Sequence, residues 1–298
     1  MRWIRDYTPK PEQQSLYRQA LIITVLGNIF LAVAKALAAS ISGSAALFAD
    51  AANSISDVLY SLLMVLGLNV AQRPPDLSHP QGHGRFEPLV GLMVSFSMAF
   101  AGFEAARAAF ERFSTGGLAV EPGMPSLVLA GSALVKAGMF WSITRLARSL
   151  HSPTLETTAK DNLSDVLTSI AAFAGIFGSR FVHPLFDAGA GFIVSAWIFR
   201  AAFNAARENL RFLTGAGASA ELREEIVKVA SSVPGVLRVH HTMTEYVGPS
   251  LVVDLHINVS GQMQLKNAHA ISDEVANRLQ ALPEVDRAYI HLEPDGWD

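Results

Sequence analysis

The chain has 298 residues, half of them hydrophobic, with no cysteine and a formal net charge of -3. Its mean hydropathy of +0.30 is too high for an ordinary soluble domain, and the apolar residues concentrate before about residue 212, which points to membrane spans rather than one large core. The small, dispersed charge excludes a nucleic-acid binder, and the lack of thiols excludes disulfides, thiolate metal sites and cysteine catalysis, leaving His, Asp, Glu and Asn as ligands.

Residues 1–15 form a polar, basic N-terminal segment, and the apolar run that follows is too long for the core of a cleavable signal peptide. Residues 16–212 read as an all-α transmembrane domain with six membrane helices near 16–39, 45–71, 87–112, 123–147, 154–179 and 185–210. Each exceeds the roughly 20 residues needed to cross about 30 Å of hydrocarbon. Turn chemistry separates them: Ser-Gly-Ser at 42–44, a Pro/His/Gly loop at 72–86, Thr-Gly-Gly at 115–117, Ser-Pro at 152–153 and His-Pro at 183–184. Arg2, Arg5, Lys10, Arg18, Arg73, Arg85, Arg145 and Arg148 flank one side, against Arg107, Arg112 and Arg180 on the other. The positive-inside bias then makes both termini cytoplasmic.

After a Gly/Ala/Ser linker at 213–218, residues 219–298 change character. ELREEIVKVASSV reads as an amphipathic helix, VLRVHHTMTEYV and SLVVDLHINV as strands, QLKNAHAISDEVANRLQAL as a second helix and VDRAYIHLEP as a last strand. The order αββαβ fits a small α+β ferredoxin-like domain with helices on one face of its sheet. In SLVVDLHINV the alternation sends Leu251, Val253, Leu255 and Ile257 toward the helices and leaves Asp254 and His256 on the open face. In the last strand Ala288, Ile290 and Leu292 point inward, so His291 and Glu293 share that open side.

Two polar intervals interrupt the apolar helices. Asn53 and Asp57 lie in the second, Asp161 and Asp165 in the fifth. A spacing of four puts each pair on one helix face, one turn apart. Counted from opposite helix ends at 1.5 Å per residue, both pairs lie roughly 12–18 Å deep, near the midplane. Carboxylates at that depth are costly and persist where they face a cavity, a partner or an ion. Facing one another, the pairs make a four-ligand cation site; the alternative is that they only hydrogen-bond neighbouring helices. Asp50, one turn before Asn53, lines an outward route or is a polar group near a helix end. Lys35 and Arg200 can snorkel toward an interface, and Lys136 can pair with Glu104.

The segments SGSAALFADAANSISDVL, HPQGHGRFE and AKDNLSDVLTS together resemble the cation diffusion facilitator family over nearly the whole chain. The resemblance implies a homodimeric membrane transporter, not an enzyme, that needs no cofactor and exports divalent metal from the cytoplasm in exchange for protons. It implies a transport site at Asn53, Asp57, Asp161 and Asp165. Zinc-transporting relatives usually carry His at the position of Asp161, and this chain has no imidazole in the set. Three carboxylates and one amide carbonyl are all-oxygen donors, which suit a hard ion such as Mn²⁺. Mn²⁺ is therefore the expected substrate, with Fe²⁺ and Zn²⁺ as alternatives. Without an imidazole, proton exchange has to use a buried carboxylate.

The resemblance also implies a loop site at Asp76, His79 and His83, the alternative being a solvated loop with incidental histidines. His240, His256, His269, His291 and Glu293 match metal-binding positions of the family's cytoplasmic domain, the alternative being a polar sheet face used for dimer contacts. Relatives often place an acid soon after the sixth helix to pair with a basic residue matching Arg85; RFLTGAGASA has none. The compact length fits a bacterial inner membrane. The rival reading is a membrane-anchored metal sensor. A metalloenzyme is weaker still, because no His-Glu-x-x-His pattern is present.

Overall fold

An apolar exterior around a polar interior organises the described residues up to Leu213. The computed structural model describes residues 3–4, 11–42, 45–116 and 124–296, without the side chains of residues 42, 45–50, 52–53, 124–125, 176–177, 179–180 and 187. Six long helices make up this part: α1 (Pro11–Ser42), α2 (Ala45–Ala71), α3 (Phe86–Ser114), α4 (Met124–Leu150), α5 (Pro153–Phe181) and α6 (Phe186–Leu213). They lie where the turn signals place them, each a few residues longer at one or both ends except α2. Leu26, Phe30, Leu66, Phe100, Leu134 and Phe203 are exposed, whereas Thr24, Asn28, Lys35, Ser61, Lys136, Asn162 and Asn209 are buried. A water-soluble bundle has the opposite arrangement. Lipid accepts the bare leucines and phenylalanines, and the helices satisfy their own backbone groups.

Five of these helices, α1, α2, α3, α4 and α6, are long and apolar enough to cross a membrane by length and composition, among the described residues. Six spans were expected. Helix α5 has 29 residues and so has the length, but Glu156, Lys160, Asp161 and Asp165 in its first half lower its apolarity. The residues that make the helix interesting are the ones that weaken its membrane signal.

Helix α1 packs along α2, α4 along α5, and α3 along α6, with α5 also against α3 and α6. One residue in left-handed conformation, His151 (φ 50°), turns α4 into α5. Ser152 caps the new helix by accepting from the Leu155 N–H at 3.1 Å, and Pro153 occupies its first position, where a missing N–H costs nothing. Glu87, buried at the start of α3, ties three helix ends together. Its carboxylate accepts from the Tyr17 hydroxyl of α1 at 2.8 Å and from the Ser152 hydroxyl, and its carbonyl accepts from Thr154. A buried carboxylate is tolerated only with such partners.

The last part has the expected order: α7 (Ala220–Ser231), β1 (Arg238–Val247), β2 (Ser250–Val259), α8 (Leu265–Gln280) and β3 (Val285–Pro294). The strands form one sheet in the order β1-β2-β3, with β1–β2 antiparallel and β2–β3 parallel. Leu251, Val253, Leu255 and Ile257 are fully buried and pack with Ile226, Ala230, Val275 and Leu279 of the two helices. The period-two alternation therefore decides the buried face as expected.

The two parts are docked. Arg85, just before α3, forms an ion pair with Glu245 of β1. The acid that Arg85 was expected to lack after α6 comes instead from a strand some thirty residues further on. The linker lies along the same strand: the Ala216 carbonyl accepts from the Tyr246 N–H at 3.0 Å, and the Ala218 N–H donates to Thr244 Oγ1 at 3.0 Å. Phe212 at the end of α6 stacks edgewise on Tyr246, their ring centroids 4.7 Å apart. The β1–β2 turn comes so close to Gly84 that a Cβ on Gly248 would collide with the Gly84 backbone, and Gly248 also has φ +65°.

Gly248→Ala is therefore expected to cost about 1–3 kcal/mol through backbone strain, and more through the clash. Gly217→Ala, where a Cβ would meet Thr244 at an ordinary 3.4 Å, is expected to be close to neutral. Thermal unfolding of the purified full-length protein in detergent checks both, with only the first variant melting at lower temperature.

Candidate metal centres

Three clusters of ligand-type side chains occupy different levels of the molecule. The deepest joins α2, α4 and α5. Lys136 of α4 lies with its Nζ 3.2 Å from Asp57 Oδ2 and 2.7 Å from Asp165 Oδ2. The longer contact has hydrogen-bond geometry; the shorter is an ion pair whose angle does not qualify as one. Asp161, one turn before Asp165, is near enough for its charge to act on the same ammonium, and Lys35 of α1 acts on Asp57. The structure thus brings the carboxylates of α2 and α5 to one point.

Beside them is a cavity of about 20 Å³, lined by Asp57, Asp161, Asn28, Ser61, Thr158 and Asn162, among others. That is room for about one water. Asn28 donates to Ser61 Oγ at 2.7 Å, and Ser61 donates to the Asp57 carbonyl at 2.7 Å, so α1 braces the turn that carries Asp57. The side chains of Asn53 and Asp50 lie outside the described residues.

The flanking lysines differ from expectation. Lys136 does not pair with Glu104, which lies instead 3.8 Å from Arg107 one turn along α3. Lys35 is buried and does not snorkel, whereas Arg200 is exposed. Charges in a low-dielectric interior need opposite charges close by, and the carboxylate cluster is a stronger partner for Lys136 than a lone surface glutamate.

The loop between α2 and α3 gathers Asp76, His79 and His83, whose ligand atoms all lie within 4.8 Å of one another. Asp76 Oδ1 accepts from the Ser78 and His79 N–H groups at 2.9 and 2.7 Å, an Asx turn that aims the carboxylate back at the histidines. Its oxygens lie 3.6 Å from His79 Nδ1 and 3.4 Å from His83 Nε2. The two rings tilt against each other at 4.4 Å. The His79 and Ser78 amides, with the histidine charge nearby, hold the Asp76 carboxyl below the usual carboxylate range.

On the open face of the sheet, Glu293 receives His240 Nε2 at 3.1 Å, His256 Nδ1 at 3.2 Å and His291 Nε2 at 3.6 Å. His240 Nδ1 is buried without a partner among the described residues. Strand register explains the set: His256 pairs with His291 and Asn258 with Glu293 across β2–β3. A bulge between Val239 and His241 lets two consecutive β1 residues reach the group, and the His241 ring lies 4.8 Å from His256. His269 does not join them. It is 72% exposed on α8, 3.8 Å from Asp273, because the helices cover the opposite face of the sheet.

Comparison with known proteins places these clusters in context. The cation efflux transmembrane domain profile matches residues 21–214, and the cation efflux protein cytoplasmic domain profile matches residues 218–295. An uncharacterized transporter of Methanocaldococcus jannaschii is 34% identical over 277 residues, covering 92% of this chain and 96% of the relative. The manganese efflux system protein MneS of Bacillus subtilis is 27% identical over 273 residues, covering 92% and 94%. Among solved structures, a MamM C-terminal domain (MamM-CTD 215-293) is 28% identical, covers 26% of this chain and 99% of that one, and has a TM-score of 0.24.

The depressed Asp76 pKa fixes the sign of a pH effect. The ionised carboxylate orders the loop above the unfolded value of about 3.9, and that contribution is lost as pH falls through the lower folded value. At neutral pH, Asp76→Asn is expected to accelerate hydrogen exchange of the Ser78 and His79 amides, read by mass spectrometry. Unchanged exchange would show that the Asx turn does not depend on the charge.

Proposed function

The chain belongs to the cation efflux, or cation diffusion facilitator, family of membrane metal-cation transporters, and on that premise we propose that it exports Mn²⁺ from the cytoplasm by proton-coupled antiport. The observation that carries this reading is the meeting of Asp57 and Asp165 at one point, with Asp161 lining the adjoining cavity and no imidazole in the group. Asn53 completes the proposed set as an amide oxygen. Such a set suits a hard, oxygen-seeking ion, and the manganese efflux relative points to the same substrate. Helix α5 is taken as the sixth span: Asp161 and Asp165 belong to the site, and Lys160 is neutralised by Glu156 and by Glu208 of α6, so its charges are compensated within the bundle.

In the proposed cycle the site opens alternately to the two sides, and a carboxylate exchanges a proton for the metal. Both termini are cytoplasmic, the protein is a homodimer and the membrane is a bacterial inner membrane. The sheet cluster of His240, His256, His291 and Glu293 is proposed as a regulatory metal site in a ferredoxin-like domain, and Asp76, His79 and His83 as a second peripheral site. Both have nitrogen donors and so favour Zn²⁺ more than the deep site does. The second reading, Zn²⁺ export, rests on the general affinity order, which ranks zinc above manganese. A metal sensor needs no carboxylates at membrane depth and is less well supported.

Reconstituted liposomes test the proposal. With an imposed pH gradient, Mn²⁺ flux is expected to exceed Zn²⁺ flux and to fall to the level of empty liposomes in Asp57→Ala and Asp165→Ala. Asp161→His is expected to shift preference toward Zn²⁺. Greater Zn²⁺ than Mn²⁺ flux in the unmodified protein would overturn the ion assignment. Undiminished flux in both alanine variants would overturn the site.

A further inference from the structure

Lys136 belongs to none of the polar intervals that mark the ligands, and it sits on a helix that contributes none of them. Its side chain is only 6% exposed, yet its ammonium reaches carboxylates from two different helices. Resting on the transport-site reading above, we propose that Lys136 is a tethered counter-ion that occupies the cation position between Asp57 and Asp165 in the metal-free protein, and that the arriving divalent cation displaces it.

Geometry and charge carry this inference. A divalent cation bound by oxygens sits roughly 2.0–2.6 Å from each of them. Bridging Asp57 and Asp165, it would fall almost where Nζ lies, 3.2 and 2.7 Å from the same two oxygens. Two cations at that separation repel strongly in a low-dielectric interior, so the two states exclude each other. The side chain can move aside, because the lysine charge is carried on a flexible four-carbon stem. The cavity adjoins Asp57 and Asp161, two of the three carboxylates. An incoming ion can therefore engage Asp57 and Asp161 before it competes for Asp165.

Two consequences follow for transport. The ammonium lowers the negative charge that the empty site presents to the membrane interior, which eases the return of the unloaded carrier. The ammonium also weakens net metal affinity, which favours release. A lysine that only stiffened the bundle would have the opposite effect on affinity, since removing it would loosen the site.

Equilibrium Mn²⁺ binding to the full-length protein, read from the free-Mn²⁺ electron paramagnetic resonance signal, separates these. The deep-site component is defined as the binding lost in Asp57→Asn/Asp165→Asn. Lys136→Met is expected to tighten that component at least about tenfold, equivalent to about 1.4 kcal/mol. In liposomes the same variant is expected to lower both KM and maximal flux. Lys136→Arg, which keeps the charge, is expected to stay near the unmodified protein. Lys136→Gln gives the same reading as Met if the Met variant does not fold. Unchanged or weaker binding in the neutral variants would overturn the counter-ion role and leave the transport site standing. No loss of binding in Asp57→Asn/Asp165→Asn would overturn the site reading and this inference with it.

Discussion

A carboxylate inside a bilayer must be neutralised by something within a few ångströms, and the membrane part of this protein is built around that requirement. Asp57 and Asp165 are held against one buried ammonium, Asp161 acts on the same charge, and Lys35 approaches from a fourth helix. The neighbours are arranged to support this group. Asn28 and Ser61 brace the turn that carries Asp57, while Thr158 and Asn162 line the adjoining space. The apolar residues displaced from the interior then face outward, where only lipid can accept them.

The deep carboxylates were legible because a helix converts a spacing of four into a shared face, and an apolar stretch makes any carboxylate conspicuous. Strand alternation was equally direct, and it identified the buried leucines and valines of β2 as well as the open side shared by His256 and Glu293. Lys136 was visible as an anomaly, but its partner was not. Which acid it meets depends on how α4 packs against α2 and α5, and no local pattern encodes that. His269 lies on the second helix of the domain, as expected, and so stands apart from the sheet cluster. His241 was missed because a bulge breaks the alternation that would have excluded it. Glu87 ends a quoted motif, yet its role appears only when three helix ends converge on it.

The cytoplasmic domain is not suspended on a free tether. The linker lies along β1, Phe212 rests on Tyr246, Arg85 holds Glu245, and two glycines bring the β1–β2 turn against the loop after α2. The loop's Asp76 and histidines lie only a few residues before Gly84. A change in their geometry would therefore be felt at the docking contact as well as in the membrane helix that follows. Chemical state in the aqueous part and helix position in the membrane share one short stretch of backbone.

The turn at His151 gives the deep cluster two unequal contacts. Because a single left-handed residue folds α4 directly back along α5, Lys136 and Asp165 belong to one hairpin. Asp57 rides on α2, which packs with α1. The contact to Asp165 is thus an ion pair within one hairpin, and the hydrogen-bonded contact to Asp57 joins that hairpin to another pair of packed helices. A displacement of α2 relative to that hairpin would stretch the 3.2 Å contact and leave the 2.7 Å one unchanged.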